Sequence, residues 1–169
     1  SIVLIMFRIF SPLPFFEMLL VVFSAIAMIL GISLALTQTD FRRMIGFLAV
    51  GELGFIGLAI GLGTEFALTA GLFQAFNEMI TTALLFIGFG VVAYATGESD
   101  TRKIGGLIGY YPKTAIIILI AGLSMAGVPP LAGFQSKLML VQASLSCGFP
   151  ELSLLAIIVS IATFVVFVN

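Results

Sequence analysis

Six polar side chains stand in apolar sequence where lipid would not tolerate them alone: Glu52, Gln74, Asn77, Glu78, Thr82 and Lys137. A charge near a bilayer midplane costs at least about 2.5–3.5 kcal/mol, so each charged member calls for a partner, a hydrated cavity or a route to the interface. Glu52 lies in Val50-Gly51-Glu52-Leu53-Gly54, where the flanking glycines let another backbone approach closely. Gln74, Glu78 and Thr82 recur at every fourth position with Asn77 and Thr81 alongside, which puts them on one helix face. Such a stripe suits a water-containing interior path in which a carboxylate takes up and releases protons, and it also suits hydrogen bonding between helices. Lys137 follows Pro129-Pro130 in Gly133-Phe134-Gln135-Ser136-Lys137. A lysine beside interrupted helix is what transporters use near an ion site, and snorkelling to the interface is the alternative.

Composition bounds the chemistry further. One cysteine, Cys147, and no histidine leave too few ligands for haem, iron-sulfur or zinc sites. No catalytic, cofactor-binding or metal-ligating residue is therefore assigned, no cofactor is expected on this chain, and any redox group is expected on another. Seven basic against eight acidic residues, with no basic segment interleaved with aromatics, exclude nucleic acid as a partner.

These side chains need elements to carry them through a membrane. With 61% hydrophobic residues, 9% charged residues and a mean hydropathy of +1.28, the chain is too apolar for a water-soluble domain. Its apolar runs far exceed the roughly ten-residue strands of a membrane barrel, so an all-α bundle is expected, with the lipid bilayer as solvent. The opening SIVLIMFRIF is apolar without a signal-peptide cleavage site and is read as the end of a helix, closed by Ser11-Pro12-Leu13-Pro14. Phe15–Leu36 is about 22 residues, enough to cross a hydrocarbon core of about 30 Å. Thr37–Arg43 is polar, with Asp40 as a helix N-cap, and Met44–Leu62 is a second, glycine-rich span. After Gly63-Thr64-Glu65 a long helix runs from Phe66 to about Thr96.

Gly97–Pro112 is polar and then continues as GGLIGYYP, expected at the membrane interface where Tyr110 and Tyr111 are at home. Thr114–Val128 and Leu131–Leu145 flank Pro129-Pro130 as either a hairpin of two short helices or one interrupted helix. Glu151–Val168 is the last span, giving about five to six in all. Arg42, Arg43, Arg102, Lys103 and Lys113 fall in loops 37–43 and 97–113, whereas the connection at Gly63 has no basic residue, so both loops are expected on the positive-inside face.

Four blocks in order, LTQTDFRRMIGFLAVGELGFIGLAIGLG, GLFQAFNEMITTALLFIGFG, ATGESDTRKIGGLIGYYPKTA and LSMAGVPPLAGFQSKLMLV, cover most of Leu36 to Val141. Together they resemble the antiporter-like membrane subunits of complex I, of Mrp-type antiporters and of membrane-bound hydrogenases. The resemblance implies a multi-pass subunit of a larger complex in an energy-converting inner or cytoplasmic membrane. Its partners would be other membrane subunits, and its path near the midplane would carry protons or sodium ions. It also implies that residues 1–169 correspond to the second of two inverted five-helix repeats, with the N-terminal repeat absent. Lys137 matches the lysine or glutamate that follows the family's Pro-Pro-x-x-Gly-Phe motif. Gln74, Glu78 and Thr82 occupy positions where many members carry His, His and Lys, and Glu52 stands where a polar Gln or Ser is common. Threonine holds no charge, so the family's central carrier is missing at Thr82 and its task would fall to Glu78, alone or with Glu52. Two functions follow: a conducting subunit of a redox-driven cation-translocating complex or antiporter, or a non-conducting structural subunit packed between pump modules.

Overall fold

The computed structural model describes residues 14–104 and 106–168, so the helix end expected before Pro14 lies outside the described residues. Within the described residues seven helices follow one another: α1 (Pro14–Thr37), α2 (Phe41–Gly61), α3 (Glu65–Thr96), α4 (Leu107–Tyr110), α5 (Pro112–Ala126), α6 (Ala132–Ser146) and α7 (Pro150–Val168). Among the described residues there is no β-strand, and α1, α2, α3 and α7 are each long and apolar enough to cross a membrane. The expected boundaries hold within two residues, close to the usual uncertainty of helix ends, except that the second span starts three residues early, at Phe41 directly after its Asp40 cap. The GGLIGYYP segment contains the single turn α4, with Tyr110 exposed.

Local chemistry explains the ends. Thr64 caps α3 by accepting the Ala67 N–H, and Gly97 closes the same helix in a left-handed conformation (φ +74°) that favours glycine. Asp40 caps α2, its Oδ1 accepting the Arg42 N–H at 2.8 Å. The strand-like residues beside Asp40 then join the two basic loops. The Phe41 N–H donates to Ser99 O, the Thr101 N–H donates to Thr39 O, and the Ser99 hydroxyl donates to Asp40 Oδ2. Loops 37–43 and 97–103 therefore meet at one end of the bundle.

Helix α1 lies antiparallel along α2, and small residues set the spacing. A Cβ at Gly31 would strike the backbone of Gly51, so these two glycines permit the close contact. The core contains Met28, Ile45, Phe55, Leu58, Leu85, Met125 and Leu140, while Leu, Ile, Val and Phe side chains of every long helix face outward, as lipid requires.

Contacts along α3 decide between hairpin and interrupted helix. Going up α5, Ile118 lies against Gly88 and Ser124 against Asn77; beyond the Pro129-Pro130 break, Gly133 meets Asn77 and Ser136 meets Gln74. The α3 partner goes from Gly88 to Asn77 on α5 and from Asn77 to Gln74 on α6, so α5 and α6 run in the same direction, as one interrupted helix antiparallel to α3. Helix α7 returns along both halves, with Ser153 bonded to Ser144 and Phe167 against Gly122. At 32 residues α3 is about 48 Å long, enough to back both halves. Among the described residues the chain thus makes five crossings, four continuous and one broken.

Candidate ion-path site

Interrupting a helix frees backbone groups and opens space between the two ends. Gly127 ends α5 with a left-handed φ of +78°, and α6 starts at Ala132. The ends pass so closely that a Cβ on Gly133 would run into the carbonyl oxygen of Ser124. Lys137, one turn into α6, reaches back across this gap. Its Nζ donates to Met125 O at 2.6 Å, a carbonyl from the last turn of α5. The cation thereby satisfies one of the groups the break leaves exposed, and it sits where the α5 dipole is negative.

The same ammonium donates to Glu52 Oε1 at 2.7 Å, and both side chains are almost fully buried. It also lies 4.7 Å from the centroid of the Phe55 ring, three residues along α2 from Glu52. Glu52 Oε2 accepts from Gln74 Nε2 at 2.6 Å, and Gln74 Oε1 accepts from the Ser136 hydroxyl at 2.5 Å. A closed ring of polar groups therefore ties α2, α3 and α6 together: Glu52, Gln74, Ser136 and, one residue on, Lys137. The partner of Lys137 is Glu52, a pairing across 85 residues of sequence that periodicity within one helix does not reveal.

Glu78 is one turn further along α3. Its Oε1 accepts from the Thr82 hydroxyl at 2.5 Å, and its Oε2 is buried without a protein donor. Asn77 Oδ1 accepts from the Ser124 hydroxyl at 3.1 Å, while Asn77 Nδ2 is buried without an acceptor. The stripe along α3 thus divides: Gln74 belongs to the ion pair, Asn77 to the helix break, and Glu78 with Thr82 to a second carboxyl position. Thr82 supplies a hydrogen bond to that carboxyl. Thr81 turns inward and donates to Asn77 O of its own helix. Two further residues that spacing did not single out are Ser136 and Ser124; their adjacency to Lys137 and to Pro129-Pro130 was the available signal.

Beside Glu52 a narrow gap is bounded by Ile32, Leu48, Gly51, Val159 and Thr163. On the other flank an apolar groove of about 450 Å³ runs between the helix break and α7, with Gly127, Pro129, Phe134, Ser160 and Phe164 in its walls and Lys137 in its lining.

Residues 1–164 match the family model described as NADH:quinone oxidoreductase/Mrp antiporter, TM. The chain is 36% identical over 168 residues to an uncharacterized protein of Methanocaldococcus jannaschii, covering 98% of this chain and 35% of that protein. It is 31% identical over 130 residues to a Na(+)/H(+) antiporter subunit of Alkalihalophilus pseudofirmus, covering 77% of this chain and 26% of that protein. A chain of the Mrp complex from Dietzia sp. DQ12-45-1b superposes with a TM-score of 0.88 at 30% identity, over 92% of this chain and 29% of that one. The chain spans about a third or less of the length of these relatives. With its five crossings and its family match, this chain is a multi-pass integral membrane protein of the NADH:quinone oxidoreductase/Mrp antiporter transmembrane family.

Proposed function

We propose that this chain forms part of a cation path, for protons or sodium ions, within a multi-subunit membrane complex. The observation that carries the reading is the buried Lys137–Glu52 ion pair at the helix break. An ion pair in a membrane interior is costly to keep and gives a fold little that apolar side chains would not give. Its place at interrupted backbone, with the second carboxyl of Glu78 nearby on α3, is the arrangement a charge-transfer path needs: fixed charges, a titratable group with a free oxygen, and backbone carbonyls freed by the break. The groove lined by Lys137 gives the site a lateral face towards the bilayer or a neighbouring subunit. Membership of the Mrp antiporter and quinone oxidoreductase family supports other membrane subunits as partners and electron transfer or a second ion gradient, supplied elsewhere, as the driving force. On this reading residues 1–169 act as one five-crossing repeat, with the basic loops 37–43 and 97–113 on the positive-inside face.

The test is coupled cation transport by the full-length protein in its assembled complex, reconstituted into vesicles. Glu78→Gln and the double variant Glu52→Gln/Lys137→Met, which removes both charges together, are each expected to lower transport on the order of a hundredfold, the low end of what a positioned proton-transfer group contributes. Full transport in both, with assembly intact, would refute conduction through this chain.

A second reading is supported by Thr82 and by the closed packing around Glu52. A subunit with threonine at the expected lysine, and with its carboxylate held between Lys137 and Gln74, also fits a non-conducting role in which the polar ring locks α2, α3 and α6. On that reading the same variants lose assembly and leave the transport of whatever assembles unchanged.

A further inference from the structure

Donor and acceptor accounting around Gln74 leads beyond a static ion pair. Gln74 is fully buried, and each end of its amide meets one partner: Nε2 faces Glu52 Oε2 and Oε1 faces Ser136 Oγ. In this arrangement both Glu52 oxygens accept from groups that can only donate, an ammonium and an amide NH₂. A proton on Oε2 would therefore confront the amide hydrogen. A half-turn of the amide, which exchanges oxygen and nitrogen without changing its outline, removes the conflict. The protonated Oε2 then donates to Gln74 Oε1, and Gln74 Nε2 donates to Ser136 Oγ. Ser136 must release its own hydrogen from Gln74, and it has an acceptor ready: its Oγ is 3.1 Å from Gly133 O, in the first turn after the helix break. Lys137 keeps its bonds to Glu52 Oε1 and Met125 O in both arrangements. Each hydrogen bond of the ring keeps a donor and an acceptor, and outside the Gln74 amide, whose oxygen and nitrogen trade places, no heavy atom has to move.

We infer that Gln74 is a positioning residue that acts as a two-state hydrogen-bond switch, reversing its amide when Glu52 gains a proton on Oε2 and passing that change through Ser136 to the Gly133 carbonyl at the helix break. The step forms one O–H bond, takes its proton from the aqueous side of the path, breaks no other covalent bond and raises the charge of the ring by one. Among the described residues the buried charged groups besides Glu52 are Lys137 of α6 and Glu78 of α3, while α1 and α7 face Glu52 with Ile32, Val159 and Thr163. The switch deepens the proton-path reading. Its readout is hydrogen bonding and not transport, so the two fail separately.

The test is pH-difference infrared spectroscopy on the full-length protein in its assembled complex. The protonated-carboxyl band of Glu52 is identified by its loss in Glu52→Gln, and the side-chain amide bands of Gln74 by their loss in Gln74→Met. Ser136→Ala, which removes a single hydroxyl, displaces the same amide bands and identifies them if Gln74→Met does not assemble. The expected result is that the Glu52 carboxyl band and a displacement of the Gln74 amide bands grow in together along one titration curve, and that Glu52→Gln abolishes the amide displacement. Protonation of Glu52 with the amide bands unmoved would overturn the switch, as would a Glu52 that stays ionised at every pH at which the complex remains assembled.

Discussion

Lys137 makes the chain's one described charge contact deep inside the bundle, and its neighbours show how a cation is kept there. It has an anion in Glu52, a carbonyl in Met125 and an aromatic face in Phe55, so little of its hydration is left unreplaced. Removing one partner alone is then worse than removing both. Lys137→Met leaves Glu52 buried without its counter-charge and is expected to cost about 3–5 kcal/mol of stability. Adding Glu52→Gln in the same chain is expected to recover most of that loss, because the amide keeps the shape and a hydrogen bond to its surroundings without the charge. Thermal unfolding of the purified complex in detergent, compared across the two single variants and the double variant, measures the coupling. Strict additivity would mean that the pair is not formed.

At the scale of elements, two junctions hold the site in register. The first is the helix break, where Gly133 passes the Ser124 carbonyl with no room for a side chain. Gly133→Ala must push α6 off α5, and overpacking of this kind typically costs about 1–3 kcal/mol. Because Lys137 is one turn further along α6, the variant is also expected to lengthen the Lys137–Met125 bond and to lower transport more than its stability loss accounts for. Gly90→Ala, on α3 where a Cβ meets nothing, is the control expected to be silent. The second junction is the Asp40 cap that joins the two basic loops. The Arg42 backbone N–H, helped by the Ser99 hydroxyl, holds the Asp40 carboxyl below its ordinary value of 3.8. A carboxyl lowered in the folded state stabilises it above the ordinary carboxylate range, and the contribution is lost as pH falls through the lowered folded value. Asp40→Ala, which deletes the cap, is expected to destabilise by about 0.5–2 kcal/mol at neutral pH. Asp40→Asn keeps an acceptor for the Arg42 N–H and is expected to remove the acid-side dependence while retaining most of the stability. Unfolding midpoints from neutral to acid pH would separate the two.

For the whole molecule, the hydrogen bonds between residues 39–41 and 99–101 require both basic loops to lie on one side of the membrane. The turn between α2 and α3 must then lie on the other, because α2 and α3 are each one span. Single cysteines at Gln38, Glu98 and Thr64, introduced with Cys147 replaced, are expected to separate under a membrane-impermeant thiol reagent. Positions 38 and 98 should react from the compartment that carries the basic loops, and position 64 from the opposite one. Labelling of positions 38 and 98 from different sides would refute the five-crossing topology. Amid the outward apolar surface of the long helices, the groove beside Lys137 is one place where the polar interior approaches the bilayer or a neighbouring chain.

Membrane residence, the helices, their ends and the identity of the polar residues were legible in the sequence, because lipid imposes long apolar runs and punishes every polar exception. Asp40 and Thr64 are caps because of local rules that a few neighbouring residues satisfy. The sharing of Gln74, Asn77, Glu78 and Thr82 among different partners was not legible. A helical period shows which residues share a face, but not which neighbouring helix that face meets, nor at what height. The close approach of α1 to α2 at Gly31 and Gly51, and of α6 to the end of α5 at Gly133, is a property of packing. So the sequence alone determined that charges must be kept inside this membrane protein. Only the tertiary structure decided that Lys137 is held by Glu52 and that Glu78 keeps a free oxygen, because ion pairs between distant helices depend on register and distance, which no single segment encodes.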